Sequence, residues 1–153
     1  MMEPLNKEES LQLLSNHFIG HLAYIAKNTP FVVPITYYYN QKENIILSYS
    51  NEGHKIDAMR LHSSVSVQIE EIQSINQWKS LLLIGDFEEL KGSEAKMYLH
   101  SFALNVKSVM AKKESIKPEL INNFSSKLTT NSIPIVYRIN IHQMIGRKNM
   151  PQL

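Results

Sequence analysis

Between Gly20 and Leu90 the chain breaks into short β-rich runs separated by polar or turn-forming residues, and that spacing governs what the rest can do. The runs are His21 to Ala26, Phe31 to Tyr39, Asn44 to Tyr49, Ser64 to Glu70 and Trp78 to Leu90. They stand too close together for crossover helices, so they predict a meander of antiparallel strands curling into a small barrel, not a parallel sheet. Turn material falls at Asn28-Thr29-Pro30 and from Asn40 to Glu43. One helical insertion interrupts the meander: in GHKIDAMRLH, Ile56, Met59 and Leu61 can face inward while Asp57 and Arg60 sit one turn apart outside. A final run, Ile135 to Ile141, alternates strictly and reads as a strand.

Helices flank this β-rich stretch. Asn6 followed by Glu9 has the capping-box pattern, and Leu11, Leu14 and Phe18 share one face before Gly20, which predicts a helix over 7–18. A second helix is expected from Ser93 to about Leu104, and Pro118 opens another bearing Leu120, Ile121, Phe124 and Leu128, so helices fill about 93–128. The stretch VKSVMAKKESIK between them reads as weakly helical or loop. The expectation is one domain over 1–153, mainly β with α, its barrel built from 21–90 and 135–142. A length of 153 residues with 43% hydrophobic and 20% charged side chains suits one ordinary core.

Composition also removes function classes. A net charge of +2 offers no strong field for nucleic acid or an anionic membrane. Cysteine is absent, which excludes disulfides, a thiolate nucleophile and Cys-ligated metals, and a cytoplasmic protein is the simplest expectation. No run approaches the roughly 20 apolar residues that span a bilayer. His17 and His21 are four apart, but Gly20 ends the helix between them and no third ligand stands at a recognisable spacing, so no metal site is expected.

Three local patterns can carry chemistry. The first is a strand, a polar turn and a helix start: Ile45 to Tyr49, then Ser50-Asn51-Glu52-Gly53, then His54-Lys55. Orphan N–H groups, the helix dipole, close backbone approach at Gly53 and the Lys55 charge together suit a phosphate, although an ordinary solvated turn has the same composition. The second is Pro34 inside the strong strand Phe31 to Tyr39. Proline cannot donate to a ladder, so an edge or bulge is required there, either to leave polar groups for a flat ligand or to block aggregation. The third is the lone Trp78, followed by Lys79 and Ser80, which reads as a core or interface anchor or as a cofactor contact.

Taken in order, Ile19-Gly20-His21-Leu22-Ala23, Phe31-Val32-Val33-Pro34-Ile35-Thr36-Tyr37, Gly53-His54-Lys55-Ile56-Asp57 and Trp78-Lys79-Ser80 with Gly85 resemble the pyridoxamine 5'-phosphate oxidase-like family of FMN-binding split barrels. The nearest branch is the nitroimidazole-resistance type of flavin-nucleotide-binding proteins. The resemblance implies a six-stranded antiparallel split β-barrel that forms a homodimer with FMN at the subunit interface. It implies that Val33, Pro34, Ile35 and Thr36 line the isoalloxazine through their backbone and that Ser48 and Tyr49 lie beside the ribityl and phosphate. His54 and Lys55 match the basic pair that grips the phosphate, and Trp78, Lys79 and Ser80 match the segment reaching the flavin from the partner chain.

The implied activity is an NADH- or NADPH-dependent oxidoreductase acting on a small acceptor. A non-catalytic flavin carrier or redox sensor, or a barrel for haem or a deazaflavin, are the alternatives. Ser48 stands where the nitroimidazole branch often has histidine, which argues against nitro-group reduction, and the C-terminus lacks the tryptophan of the pyridoxal-forming oxidases. His54 replaces a more usual Arg or Lys, making one phosphate contact sensitive to pH.

Overall fold

The computed structural model describes residues 2–113 and 134–151. Its elements in order are β1 (Met2–Pro4), α1 (Lys7–Ser15), β2 (Ile19–Ala26), β3 (Thr29–Thr36), β4 (Tyr38–Asn40), β5 (Ile45–Ser50), α2 (His54–Leu61), β6 (Ser64–Ser74), β7 (Gln77–Leu90), α3 (Gly92–Lys113) and β8 (Ile135–Asn149). One antiparallel sheet runs β3-β2-β6-β7-β8-β5-β4, with β1 added on β8. The sheet curls into a barrel but is not closed by a ladder, because β3 and β4 are its two ends. Ser48 Oγ spans that gap, donating to the Thr36 carbonyl at 2.7 Å.

The expected class holds, with eight strands among the described residues where six were expected. The run from Phe31 to Tyr39 divides at Tyr37, whose N–H leaves the ladder to reach the Phe18 carbonyl at 2.8 Å, and the N-terminal tail supplies β1. The first hairpin turns one position earlier than expected. Lys27 and Asn28 both take positive φ, 51° and 62°, the backbone of a two-residue turn matched to strand twist. β8 runs on to Asn149, pairing with β7 along its length across a bulge at Ile84/Gly85. Glycine is required there, since a Cβ would stand 2.2 Å from the Asn140 carbonyl oxygen.

Two apolar clusters form because β5 is covered on both faces. Ile46 faces the barrel core with Leu22, Tyr37, Val67, Leu81, Leu83 and Ile139, into which α1 inserts Leu13 and Leu14. Ile45, Leu47 and Tyr49 face α3 instead, against Tyr98, Phe102, Val106 and Met110. Those four side chains are spaced by four and make one continuous stripe, so α3 continues through Lys113 where a break after Leu104 was expected. The helix expected from Pro118 lies outside the described residues.

α1 is capped as expected, Asn6 and Glu9 each bonding the other's backbone N–H, at 2.8 and 3.2 Å. It ends at Ser15, not residue 18, and Phe18 reaches the α3 cluster from the connecting segment. In α2, Ile56, Ala58 and Met59 are buried, whereas Leu61, expected inside, is 91% exposed at the C-terminal end of the helix. No helix among the described residues is long and apolar enough to cross a membrane.

Candidate functional site

Strand parity decides which polar groups β3 offers. The N–H of Tyr37 points back toward the β2 side, so odd-numbered residues there bond inward and even-numbered ones point away. Pro30 and Pro34 are both even, and the ladder with β2 is therefore unbroken from Thr29 to Thr36. At the free edge, Val32 retains an N–H, and the carbonyls of Pro30, Val32 and Pro34 face the same way. Val33 and Ile35 turn their side chains into the core, Thr36 is buried, and Pro34 is exposed beside His21.

At the start of this edge stands the helix α2. Gly53 caps it without a side-chain hydrogen bond, and the first-turn N–H groups are orphans by helix geometry. His54 is exposed, but its Nδ1 lies 2.8 Å from the Tyr24 hydroxyl. Phe31 stacks on Tyr24 with centroids 5.5 Å apart and meets the His54 ring in an edge contact at 4.8 Å. Lys55 is half-buried, and desolvation alone lowers its pKa. The helix is held by Arg60, which donates to Glu89 at 2.7 Å and to both oxygens of Glu52 at 2.8 and 2.9 Å. Those carboxylates raise the Arg60 pKa, and Arg60 holds Glu89 below the usual carboxylate range.

The remaining candidates divide. Ser48 is buried behind β3, its proton engaged by the Thr36 carbonyl, and beside it the Tyr137 hydroxyl is fully buried without a hydrogen bond of good geometry. Desolvation pushes the Tyr137 pKa up to about 12, with Ser48 easing the shift. The Tyr49 side chain turns to the other face of β5, edge-on to Phe102 at 5.1 Å beneath α3, so only its backbone faces the β3 gap.

Trp78 and Ser80 lie on the outer face of the sheet, whereas the pleat sends Lys79 to the opposite face, where it acts on Glu9 of α1. Trp78 is far from α2 within one chain. Ile84 pairs with Ser66, which pairs with Ala23 next to Tyr24, and Trp78 is displaced from Ile84 along β7 by roughly 20 Å at ordinary strand rise. One copy of the chain therefore sets His54 and Lys55 at the start of the β3 edge, beside Phe31, and Ser48 at its far end, against Thr36, with the Trp78 segment away from both.

Sequence reasoning missed Tyr24, Phe31, the Arg60 clamp and a polar chain on the outer face. In that chain His21 Nδ1 is 3.2 Å from Gln68 Oε1, and the Gln68 amide donates to Glu70 at 2.8 Å and to Ser80 at 3.0 Å. It sits by a cavity of about 340 Å³ lined by Ala23, Val32 and Leu82 as well. The alternation of β2 marked Tyr24 as inward, but nothing local pairs it with a histidine 30 residues away.

The family model for pyridoxamine 5'-phosphate oxidase matches residues 6–148. An uncharacterized protein of Rhizobium meliloti (strain 1021) is 28% identical over 144 residues, 94% of this chain and 92% of its own length. The crystal structure of a FAD-binding protein from Mesorhizobium loti superposes with a TM-score of 0.75 at 25% identity, covering 99% of this chain and 98% of that one. A candidate 5-nitroimidazole antibiotic resistance protein from Bacteroides thetaiotaomicron shares the fold, with a TM-score of 0.67 at 15% identity over 97% of this chain and 89% of that one. With the whole β-meander, α2 and most of β8 inside the matched region, the chain belongs to the pyridoxamine 5'-phosphate oxidase family.

Proposed function

We propose that this protein binds FMN between two copies of the chain and acts as an NADH- or NADPH-dependent oxidoreductase on a small acceptor. The observation that carries the reading is the half-buried Lys55 in the first turn of α2, a helix whose first residue, His54, meets Phe31 of the proline-marked strand β3. A charge held partly out of water, with no carboxylate among the described residues to offset it, is stabilised by a bound anion, and orphan N–H groups add donors. His54 and Lys55 would hold the phosphate. The free N–H and carbonyl groups of β3 at Val32 and Pro34 would meet the polar rim of the flavin ring, and the adjoining chain at Val33, Ile35 and Thr36 would form its wall. When bound, FMN supplies two-electron chemistry, accepting a hydride equivalent from a reduced nicotinamide and passing it to the acceptor. The chain's own part is binding, orientation and exclusion of water.

The outer face supports the pairing of two copies. Val32, Leu82, Ile84 and Ile145 put apolar side chains on one face of the sheet, and a two-fold axis there would carry Trp78 and Ser80 of one copy toward the phosphate site of the other. Lys79, facing α1, would support that segment without touching the flavin. A cytoplasmic location fits a chain without cysteine.

A non-catalytic flavin carrier or sensor is the second reading. It is favoured by Ser48, which offers no acid to the site because its hydroxyl serves the Thr36 carbonyl. The FAD-binding relative from Mesorhizobium loti extends the choice of ligand to the dinucleotide, whose diphosphate would use the same cradle.

The absorption spectrum of the purified protein, recorded again after addition of FMN and desalting, tests the reading. Retention of one FMN per chain is the expected result; a Soret band, or no retention by a folded dimer, overturns the cofactor assignment. Many cycles of reduction by NADH or NADPH and reoxidation by an added acceptor would exclude the passive module.

A further inference from the structure

We propose that Tyr24 is a positioning residue that sets His54 as a directed N–H donor to the anion at the start of α2. The inference rests on the phosphate reading of that helix and deepens it. An imidazole presents one donor and one acceptor when neutral, and whichever nitrogen is engaged fixes the role of the other. If Nδ1 carried the proton, Nε2 would turn a lone pair toward a phosphate and repel it.

The surroundings of His54 favour one of these two forms. Tyr24 is buried on β2, 4% exposed, so the position of its hydroxyl is set by core packing and not by the surface. That hydroxyl stands 2.8 Å from His54 Nδ1. A phenol donates more strongly than it accepts, so Nδ1 takes the hydroxyl proton and the ring proton resides on Nε2. Phe31 completes the clamp, stacked on Tyr24 at an interplanar angle of 13° and edge-on to the imidazole at 67°. The otherwise exposed first residue of α2 is thereby fixed in plane by two aromatic side chains. Its other nitrogen is left to donate to the anion.

The test is a double-mutant cycle read by flavin-fluorescence titration, with FMN and with riboflavin, which lacks the phosphate. Tyr24→Phe keeps the ring and its stack on Phe31 and removes only the hydroxyl. It should weaken FMN binding about 3- to 10-fold, the range for one hydrogen bond, and leave riboflavin binding unchanged. His54→Ala should weaken FMN binding at least as much, and adding Tyr24→Phe to it should have no further effect.

An unchanged FMN affinity in Tyr24→Phe, an equal loss in the His54→Ala background or an equal loss for riboflavin would overturn the role of Tyr24. A loss of FMN affinity in neither His54→Ala nor Lys55→Ala would overturn the underlying phosphate reading instead. Independently of any variant, ¹⁵N NMR of the wild-type protein should show the neutral His54 ring protonated at Nε2; protonation at Nδ1 refutes the proposal.

Discussion

Replacing Lys55 by Met should make the ligand-free protein more stable and its flavin binding weaker. Methionine keeps most of the aliphatic stem and deletes the ammonium. In the structure that ammonium is half-buried, and desolvation is the sole cause of its lowered pKa, so no ion pair among the described residues compensates its burial. A lysine whose folded pKa lies below the unfolded value of 10.5 opposes folding wherever both states are charged, and the penalty fades as pH rises through the folded pKa toward 10.5. The wild type should therefore gain stability relative to Lys55→Met as pH rises through that window, and the variant should have the higher Tm at neutral pH.

Binding changes with the opposite sign. A charge-assisted hydrogen bond to phosphate from a partly desolvated ammonium contributes about 1 to 3 kcal/mol, so FMN affinity should fall by a factor of roughly 5 to 150. Thermal unfolding without ligand across neutral to alkaline pH, together with fluorescence titration, measures both signs. A variant that is less stable than the wild type and binds FMN equally well would refute the reasoning, because Lys55 would then be a packing residue facing no anion.

Three further outcomes follow from the same geometry. Gly85→Ala should destabilise by about 1 to 3 kcal/mol or more in chemical denaturation, since its Cβ would meet backbone 2.2 Å away at the β7/β8 bulge. Arg138 and Arg60 hold Glu88 and Glu89 below the usual carboxylate range, so their contribution is present above the unfolded value of 4.5 and is lost as pH falls through the depressed values. In a pH series followed by circular dichroism, Arg60→Ala should move the acid transition upward by releasing Glu89. Leu82→Arg, on the outer face, should leave the barrel folded but give a monomer in analytical ultracentrifugation; a dimer unchanged by this substitution places the pairing surface elsewhere.

The strands were legible where local pattern and burial agree. Period-two alternation in 135–141 marks an in-facing and an out-facing set whatever the partner, and the Asn6/Glu9 cap is complete within four residues. β5 gave less away, because both its faces are covered and Ile45 to Ser50 are all buried. That double burial hid the orientation of Tyr49, which depends on where α3 lands. α3 itself was cut short in the reading because Val106 and Met110 stand among lysines, and only packing against β5 shows that they continue the stripe of Tyr98 and Phe102. Leu61 misled for the opposite reason: an apolar residue at a helix end need not face the core once the helix stops at His62.

The residue types of the candidate site could be read in order along the chain, but their grouping could not. Proline at 34 already demanded an edge or a bulge, because a residue without an N–H cannot complete a ladder on both sides. Gly53-His54-Lys55 already suggested a helix start open to an anion, because caps, dipole and charge are local properties. Which carbonyls Pro34 leaves free followed only from the register against β2, and the burial of Lys55 only from the packing of α2 on the barrel. The union of Tyr24 with His54 and the separation of Trp78 from both are long-range consequences of how β2, β6 and β7 align. Local sequence determines conformation and the chemistry available at each position; the distances that let those groups act together are set by strand register and core packing.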